Sequence, residues 1–240
     1  MSTQPLILSI EGNIGTGKST FLDKLKTHYK DEERICFLDE PVDIWVTITD
    51  KKGVNIIEKY YDNQKRYAFS FQMMAFISRL TSLRKALASK KYDVIVMERS
   101  LYTDCHVFAK MLYDDKKIED IEYAIYMKWF NDFNDEFPPI TFIYLKTEPI
   151  ISFKRVEKRN RQGEVIPLSY LKNCNDYHDS WLLNENNLPV VILDANVDIV
   201  DNPEIIHDWL KSVDNIISRN NKSISLRYNW MDVFNISYYL

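Results

Sequence analysis

A lysine and two hydroxyls, Lys18, Ser19 and Thr20, close the stretch EGNIGTGKST, which holds three of the chain's five glycines. From Gly12 to Ser19 it fits G-x-x-x-x-G-K-[ST], a pattern in which every residue type has a physical task. The backbone N–H groups of Gly12, Asn13, Ile14, Gly15, Thr16 and Gly17, with the start of a following helix, can wrap a polyphosphate. Lys18 can then reach the β and γ groups and Ser19 can ligate Mg²⁺, with Thr20 beside it. An ordinary strand-to-helix turn is the alternative, yet at an average glycine content of about 7% a chance match in such a chain is roughly a one in a hundred event. Glycine is scarcer than that here, which argues that these three serve close backbone approach.

Holding a phosphate leaves its acceptor open. In FLDEPVDIW, residues 37–45, Glu40 follows an apolar run and Pro41 forces the chain out of a sheet. A carboxylate there can take the proton of an attacking hydroxyl, which depends on position more than on a large pKa shift. A solvated acid at a strand end is an equal alternative. In VIVMERSLYTD, residues 94–104, Glu98 and Arg99 end another apolar run; with Ser19 and Glu40 they compose a candidate magnesium and transition-state cluster.

These groups need a scaffold that brings chain segments far apart in sequence to one edge. LILSI (6–10), ICFL (35–38), VIVM (94–97), TFIYL (141–145) and VVIL (190–193) lack polar alternation, as strands covered on both faces do, and helical stretches separate them. That alternation predicts a doubly wound α/β fold whose chemistry gathers at the strand C-terminal ends. The longest helix is predicted from about Asp62 to Lys90. At 240 residues the chain suits one domain. Residues 219–240, polar at first and aromatic later, form a tail that either docks elsewhere or packs as a final element.

With 31 basic and 35 acidic residues the formal charge is -4, so no overall positive field draws in a nucleic-acid polymer or an anionic membrane. Cys36, Cys105 and Cys174 have no CxxC spacing and the four histidines no ligand spacing, which predicts reduced thiols in the cytoplasm and no structural zinc. No apolar run reaches membrane-span length, and the first strand starts too early for a signal peptide.

In the order EGNIGTGKST, DEPVDIW, FSFQMMAFISRL, ERSLYTD, the chain resembles the cellular deoxynucleoside kinase family over roughly residues 5–215. The resemblance implies a P-loop kinase-type three-layer α/β/α fold with a five-stranded parallel sheet and an arginine-rich lid at about 155–167, within a domain of residues 1–218. Gln72, Ala75 and Arg79 are spaced to share one helix face, where buried glutamine and arginine need partners. By resemblance Gln72 pairs with the nucleobase edge, while Arg79 and Asp104 form a charged pair at the base's ring substituents. Without the family, a surface salt bridge is the simpler reading of those two. Trp45, Phe71 and Phe108 resemble the apolar walls around the base, and Tyr61 the hydroxyl that meets the sugar 3′-OH. Members with the arginine and aspartate take deoxycytidine or deoxypurines, whereas thymidine-preferring members carry apolar residues there, so poor thymidine use is expected. Arg155, Arg159 and Arg161 resemble lid arginines around the donor triphosphate, with Gly163 as a hinge, although the lid is one residue shorter than usual. Glu164 is the match for the lid acid at the 3′-OH, and Asp198 in LDANVDI for a contact to the donor's adenine.

The implied reaction is direct transfer from ATP with Mg²⁺ to a deoxynucleoside 5′-hydroxyl, with Glu40 as base, Arg99 orienting it, Lys18 stabilising charge, and Ser19 and Glu98 at the metal. A homodimer built from helices such as 62–90 and about 117–136 is implied too. The alternatives are a thymidylate-like monophosphate kinase, which usually shows Glu-Pro-Gly and Asp-Arg-Tyr where this chain has Glu40-Pro41-Val42 and Glu98-Arg99-Ser100, a hydrolytic NTPase, and a catalytically silent structural relative.

Overall fold

The computed structural model describes residues 4–160, 165–184, 188–200 and 202–235, with side chains described up to residue 220. It divides into two compact units, Met1–Val197 and Asp198–Leu240.

Five strands form the centre of the first unit: β1 (Leu6–Glu11), β2 (Ile35–Leu38), β3 (Val94–Glu98), β4 (Ile140–Lys146) and β5 (Val190–Asp194). They pair entirely in parallel in the order β2-β3-β1-β4-β5, so the five predicted strands stand within a residue or two of their expected limits. Central β1 and β3 are buried almost throughout, as unalternated apolar runs require. The expectation that all five are covered on both faces fails at β2 and β5. Both are edge strands and remain half-exposed, because each has a pairing neighbour on one side only.

Helices α1 (Lys18–His28), α2 (Val42–Thr47), α3 (Ile56–Asp62) and α4 (Gln64–Ser89) follow the first two strands. The helix expected from Asp62 begins at Gln64 instead. Asn63 leaves helical geometry at φ -144°, ends α3, and caps α4 by accepting from the Arg66 N–H at 3.1 Å. After β3 come α5 (Leu101–Thr103), a single π-helical segment (Asp104–Ala109), α6 (Lys110–Asp114) and α7 (Asp120–Asn134); α8 (Pro149–Arg159) and α9 (Leu168–Asn184) flank the last crossover. Helix α1 packs on β1 and β3. Ile7, Ile95, Met97, Phe142 and Tyr144 meet Leu83 and Ala86 of α4 and Trp181 and Leu182 of α9 in one buried cluster. The result is a three-layer α/β/α arrangement.

Strand β1 lies between β3 and β4, with the crossovers from β1 and β3 leaving toward opposite edges of the sheet. A crevice opens at such a switch point beyond the strand C-terminal ends, and the glycine-rich loop lies in it. In the second unit, helix α10 (Pro203–Asn235) runs through residue 218 into the segment read from sequence as a tail.

Candidate active site

The loop from Gly12 to Gly17 joins β1 to α1, and two glycines in it admit no side chain. A Cβ on Gly12, at φ 144°, would stand 2.8 Å from the Leu145 carbonyl oxygen, and one on Gly15, at φ 85°, 2.5 Å from that of Ser152. The loop is thus clamped between β4 and α8. Asn13 ties it to α9 by donating from Nδ2 to the Leu171 carbonyl at 2.7 Å, and Thr16 Oγ1 donates to the Asn13 carbonyl at 3.1 Å. Lys18 is buried and folds back, its Nζ donating to the carbonyls of Gly12 at 3.0 Å and Asn13 at 2.6 Å. Burial, and then the charge of Arg99, lower its pKa to about 7.

The two strand-end acids and Arg99 meet at this loop. Arg99, at a left-handed φ of 63°, sends Nη1 to the Gly12 carbonyl at 3.1 Å, and its Nε stands 3.2 Å from Glu40 Oε1. That last contact is an ion pair by distance without hydrogen-bond alignment, so Arg99 Nε has no hydrogen-bond partner among the described residues. The Arg99 guanidinium also lies over the Phe108 ring, 4.9 Å from its centroid. Burial alone would raise the Glu40 pKa, but Arg99, Arg79 and Lys18 outweigh it and hold the carboxyl below its usual range. Glu98 moves the other way, pushed up by burial and by Glu40, while accepting a hydrogen bond from Ser19 Oγ at 3.0 Å. Among the described residues no group of three or more His, Cys, Asp or Glu side chains is arranged to hold a metal. Ser19 and Glu98 nonetheless fit Mg²⁺, which is commonly held by one or two protein oxygens with phosphate and water completing the shell.

On α4 the expected stripe is real: Gln72, Ala75 and Arg79 are each 2–3% exposed. Gln72 Oε1 has no hydrogen-bond partner among the described residues, a costly state unless something polar occupies the adjoining space. Arg79 donates from Nε to Asp104 Oδ2 at 3.0 Å and from Nη1 to the Glu98 carbonyl at 2.7 Å, while Nη2 lies 3.4 Å from both Asp104 Oδ1 and Glu40 Oε1. With both side chains 3% exposed, this is a buried ion pair and not the surface salt bridge of the simpler reading. Phe71 stacks on Tyr60 at 4.6 Å and meets the Trp45 ring edge-on at 5.4 Å; Trp45 Nε1 donates to Ser78 Oγ at 2.9 Å. Tyr61 is half-buried next to Tyr60.

Lid residues Arg161, Gly163 and Glu164 lie outside the described residues. Arg159 ends α8. Arg155, on α8, reaches the loop after β5, donating to the Ala195 carbonyl at 2.8 Å and the Asn196 carbonyl at 3.4 Å, so it braces that loop. Asp198 belongs to the second unit, where its Oδ1 accepts from the Val200 N–H at 3.0 Å.

Residues 8–218 match the deoxynucleoside kinase family. The chain belongs to that family. Deoxycytidine kinase 2 of Gallus gallus is 34% identical over 233 residues, covering 85% of this chain and 86% of its own length. Deoxycytidine kinase of Homo sapiens is 33% identical, with 85% and 89% covered, and the mitochondrial deoxyguanosine kinase of Xenopus laevis 31% identical, with 81% and 83% covered. The protein is therefore a kinase of deoxynucleosides.

Three features of this kinase escaped sequence reasoning. The π-helical segment carries Asp104 and Phe108 with a spacing that ordinary helical periodicity does not foresee. The second engagement of Arg79, on Glu40, has no sequence signature. Glu11, the first residue of the quoted motif, is fully buried and bonded to three hydroxyls.

The lowered Lys18 pKa has a measurable consequence. Burial lowers the Lys18 pKa in the free kinase and a bound triphosphate favours the charged form, so binding of a metal-free nucleoside triphosphate above neutral pH is expected to take up protons. Titration calorimetry in buffers of different ionisation enthalpy reads this directly; heats independent of buffer would refute it.

Proposed function

We propose that the kinase transfers the γ-phosphoryl group of ATP, with Mg²⁺, to the 5′-hydroxyl of deoxycytidine or deoxypurine nucleosides in preference to thymidine, as a salvage enzyme of the cytoplasm. The observation that carries the reading is the position of Glu40, held ionised between Arg99 and Arg79 while Arg99 grips the phosphate loop at Gly12. An acid so placed can receive an acceptor's proton beside the donor phosphates. Phosphoryl transfer asks for this positioning more than for a strong base.

In this mechanism the loop N–H groups and Lys18 hold the donor phosphates, and Lys18 leaves the loop carbonyls to meet them. Glu40 orients the 5′-hydroxyl and accepts its proton as the oxygen attacks in line, with Arg99 fixing the carboxylate. Ser19 and Glu98 would hold Mg²⁺, which would supply positive charge to offset that of the donor phosphates and of the Glu98 carboxyl beside Glu40. Gln72 gives the base edge a hydrogen-bonding partner, and Trp45, Phe71 and Phe108 wall the base. Tyr61 meets the 3′-hydroxyl, and Arg155 and Arg159 serve the donor triphosphate.

A homodimer accompanies this reading. Ile121, Ile125 and Trp129 stand 66%, 42% and 40% exposed at one-turn intervals on α7, which packs on α4, and a second copy's equivalent helices would cover them. None of the described helices is long and apolar enough to cross a membrane.

The experiment is a panel of the four natural deoxynucleosides and their monophosphates with ATP. Deoxynucleosides are expected to be phosphorylated and monophosphates not, with thymidine lowest by roughly tenfold or more in kcat/KM. Comparable turnover of thymidine overturns the base preference; turnover of monophosphates alone overturns the whole reading.

A further inference from the structure

Glu11 ends β1 with no exposed surface, and its side chain shares a strand face with Ile7 and Ser9. Nothing in the mechanism above uses it. Oε1 accepts hydrogen bonds from Ser9 Oγ and Ser100 Oγ, each at 2.7 Å, and Oε2 accepts from Thr103 Oγ1. Ser100 and Thr103 also form a capping box at the start of α5, in which the Thr103 N–H donates to Ser100 Oγ and the Ser100 N–H to Thr103 Oγ1.

The two sets of bonds depend on one another. A serine or threonine hydroxyl has one proton to give and lone pairs to receive with. Because Glu11 takes the protons of both hydroxyls, both present lone pairs to the backbone N–H groups. A carboxylate accepts only, so it enforces this orientation; a neutral amide, which also donates, does not. The box begins one residue after Arg99, whose left-handed backbone is uncommon for a non-glycine residue and persists only where the surroundings determine it. On its other side Arg99 is tied by its N–H to the Ile10 carbonyl at 3.0 Å, next to Glu11 itself.

We infer that Glu11 is a positioning residue for phosphoryl transfer, which fixes the Ser100–Thr103 turn and thereby aims Arg99 at Glu40 and the phosphate loop. The inference rests on the role given to Arg99 above. Asp104 opens the next turn and donates its N–H to the Ser100 carbonyl at 3.3 Å, so one buried carboxylate braces the backbone between the phosphate site and the base site.

The test compares Glu11→Gln, Arg99→Ala and their double variant by kcat, by dissociation constants for ATP and deoxycytidine, and by thermal melting. Glu11→Gln is expected to lower kcat about tenfold or more, with both dissociation constants within roughly threefold of the parent. Acting through Arg99, it should add less than about twofold on top of Arg99→Ala. An unchanged kcat, or a full multiplicative loss in the double variant, overturns the inference. Should Glu11→Gln not fold, Thr103→Val removes one hydroxyl at nearly constant shape and must show the same kcat loss without a matching loss of binding; parental kcat there is equally fatal. An Arg99→Ala enzyme as fast as the parent would instead overturn the active-site reading, which separates the two failures.

Discussion

Replacing Glu40 by glutamine is expected to leave deoxynucleoside binding within a few-fold of the parent and to lower kcat by roughly 10²- to 10⁴-fold, the span of general-base contributions. The amide keeps the size of the side chain and can still point an oxygen at Arg99, so the site survives, but it takes no proton from the 5′-hydroxyl. Arg99, Arg79 and Lys18 outweigh burial to keep the Glu40 pKa low, so the parent's base is ionised well into mild acid. Its protonation should therefore impose no loss of kcat/KM at neutral pH, and any acid limb due to Glu40 should lie below the ordinary glutamate range. Steady-state kinetics with direct binding measurements decides this: an unchanged kcat removes Glu40 from the role of base, and a loss confined to KM makes it a binding residue.

The scaffold was legible because its cues are local. Unalternated apolar runs mark strands buried on both faces, and three of the five are; the same runs at β2 and β5 carry no sign that they lie at the edges, since edge position is set by strand order. The break at Asn63 was written in a residue type that favours caps, yet the apolar periodicity on either side ran through it. In the site, the strand–loop–helix setting of Gly12 to Ser19 and its close backbone approach could be read from type and spacing alone, because only glycine fits where Gly12 and Gly15 stand. Helical spacing put Gln72, Ala75 and Arg79 on one face, while the spacing alone left Arg79 and Asp104 open to a surface salt bridge, a pair that the structure shows to be buried. What the sequence could not reveal were further contacts from one side chain to distant segments, such as that of Arg79 to Glu40 beyond its expected partner Asp104, or those of Glu11 to Ser100 and Thr103. These arise where β1 and β3 end side by side, and no linear pattern encodes them.

That double engagement of Arg79 sets up the largest expected change in specificity. Replacing Asp104 alone by alanine strands a buried guanidinium, and replacing Arg79 alone by leucine strands a buried carboxyl that burial already pushes up in pKa despite its partner. Each single change is expected to cost about 3–5 kcal/mol. Removing both charges together, as Arg79→Leu with Asp104→Ala, leaves an apolar space and should restore much of that loss, so the double variant melts above either single one. The same space accepts a 5-methyl group that the charged pair would crowd and desolvate against. The ratio of kcat/KM for thymidine over deoxycytidine is expected to rise at least about tenfold. Arg79 is also one of the cations that hold the Glu40 pKa down, so its loss moves that pKa upward and shifts any acid limb of kcat due to Glu40 to higher pH for every substrate. On the proposed roles, one guanidinium would serve both the choice of nucleobase and the ionisation of Glu40. A double variant that gained thymidine turnover with an unmoved acid limb would separate the two functions, whereas one with the parent's substrate order would deny Arg79 and Asp104 any part in selecting the base.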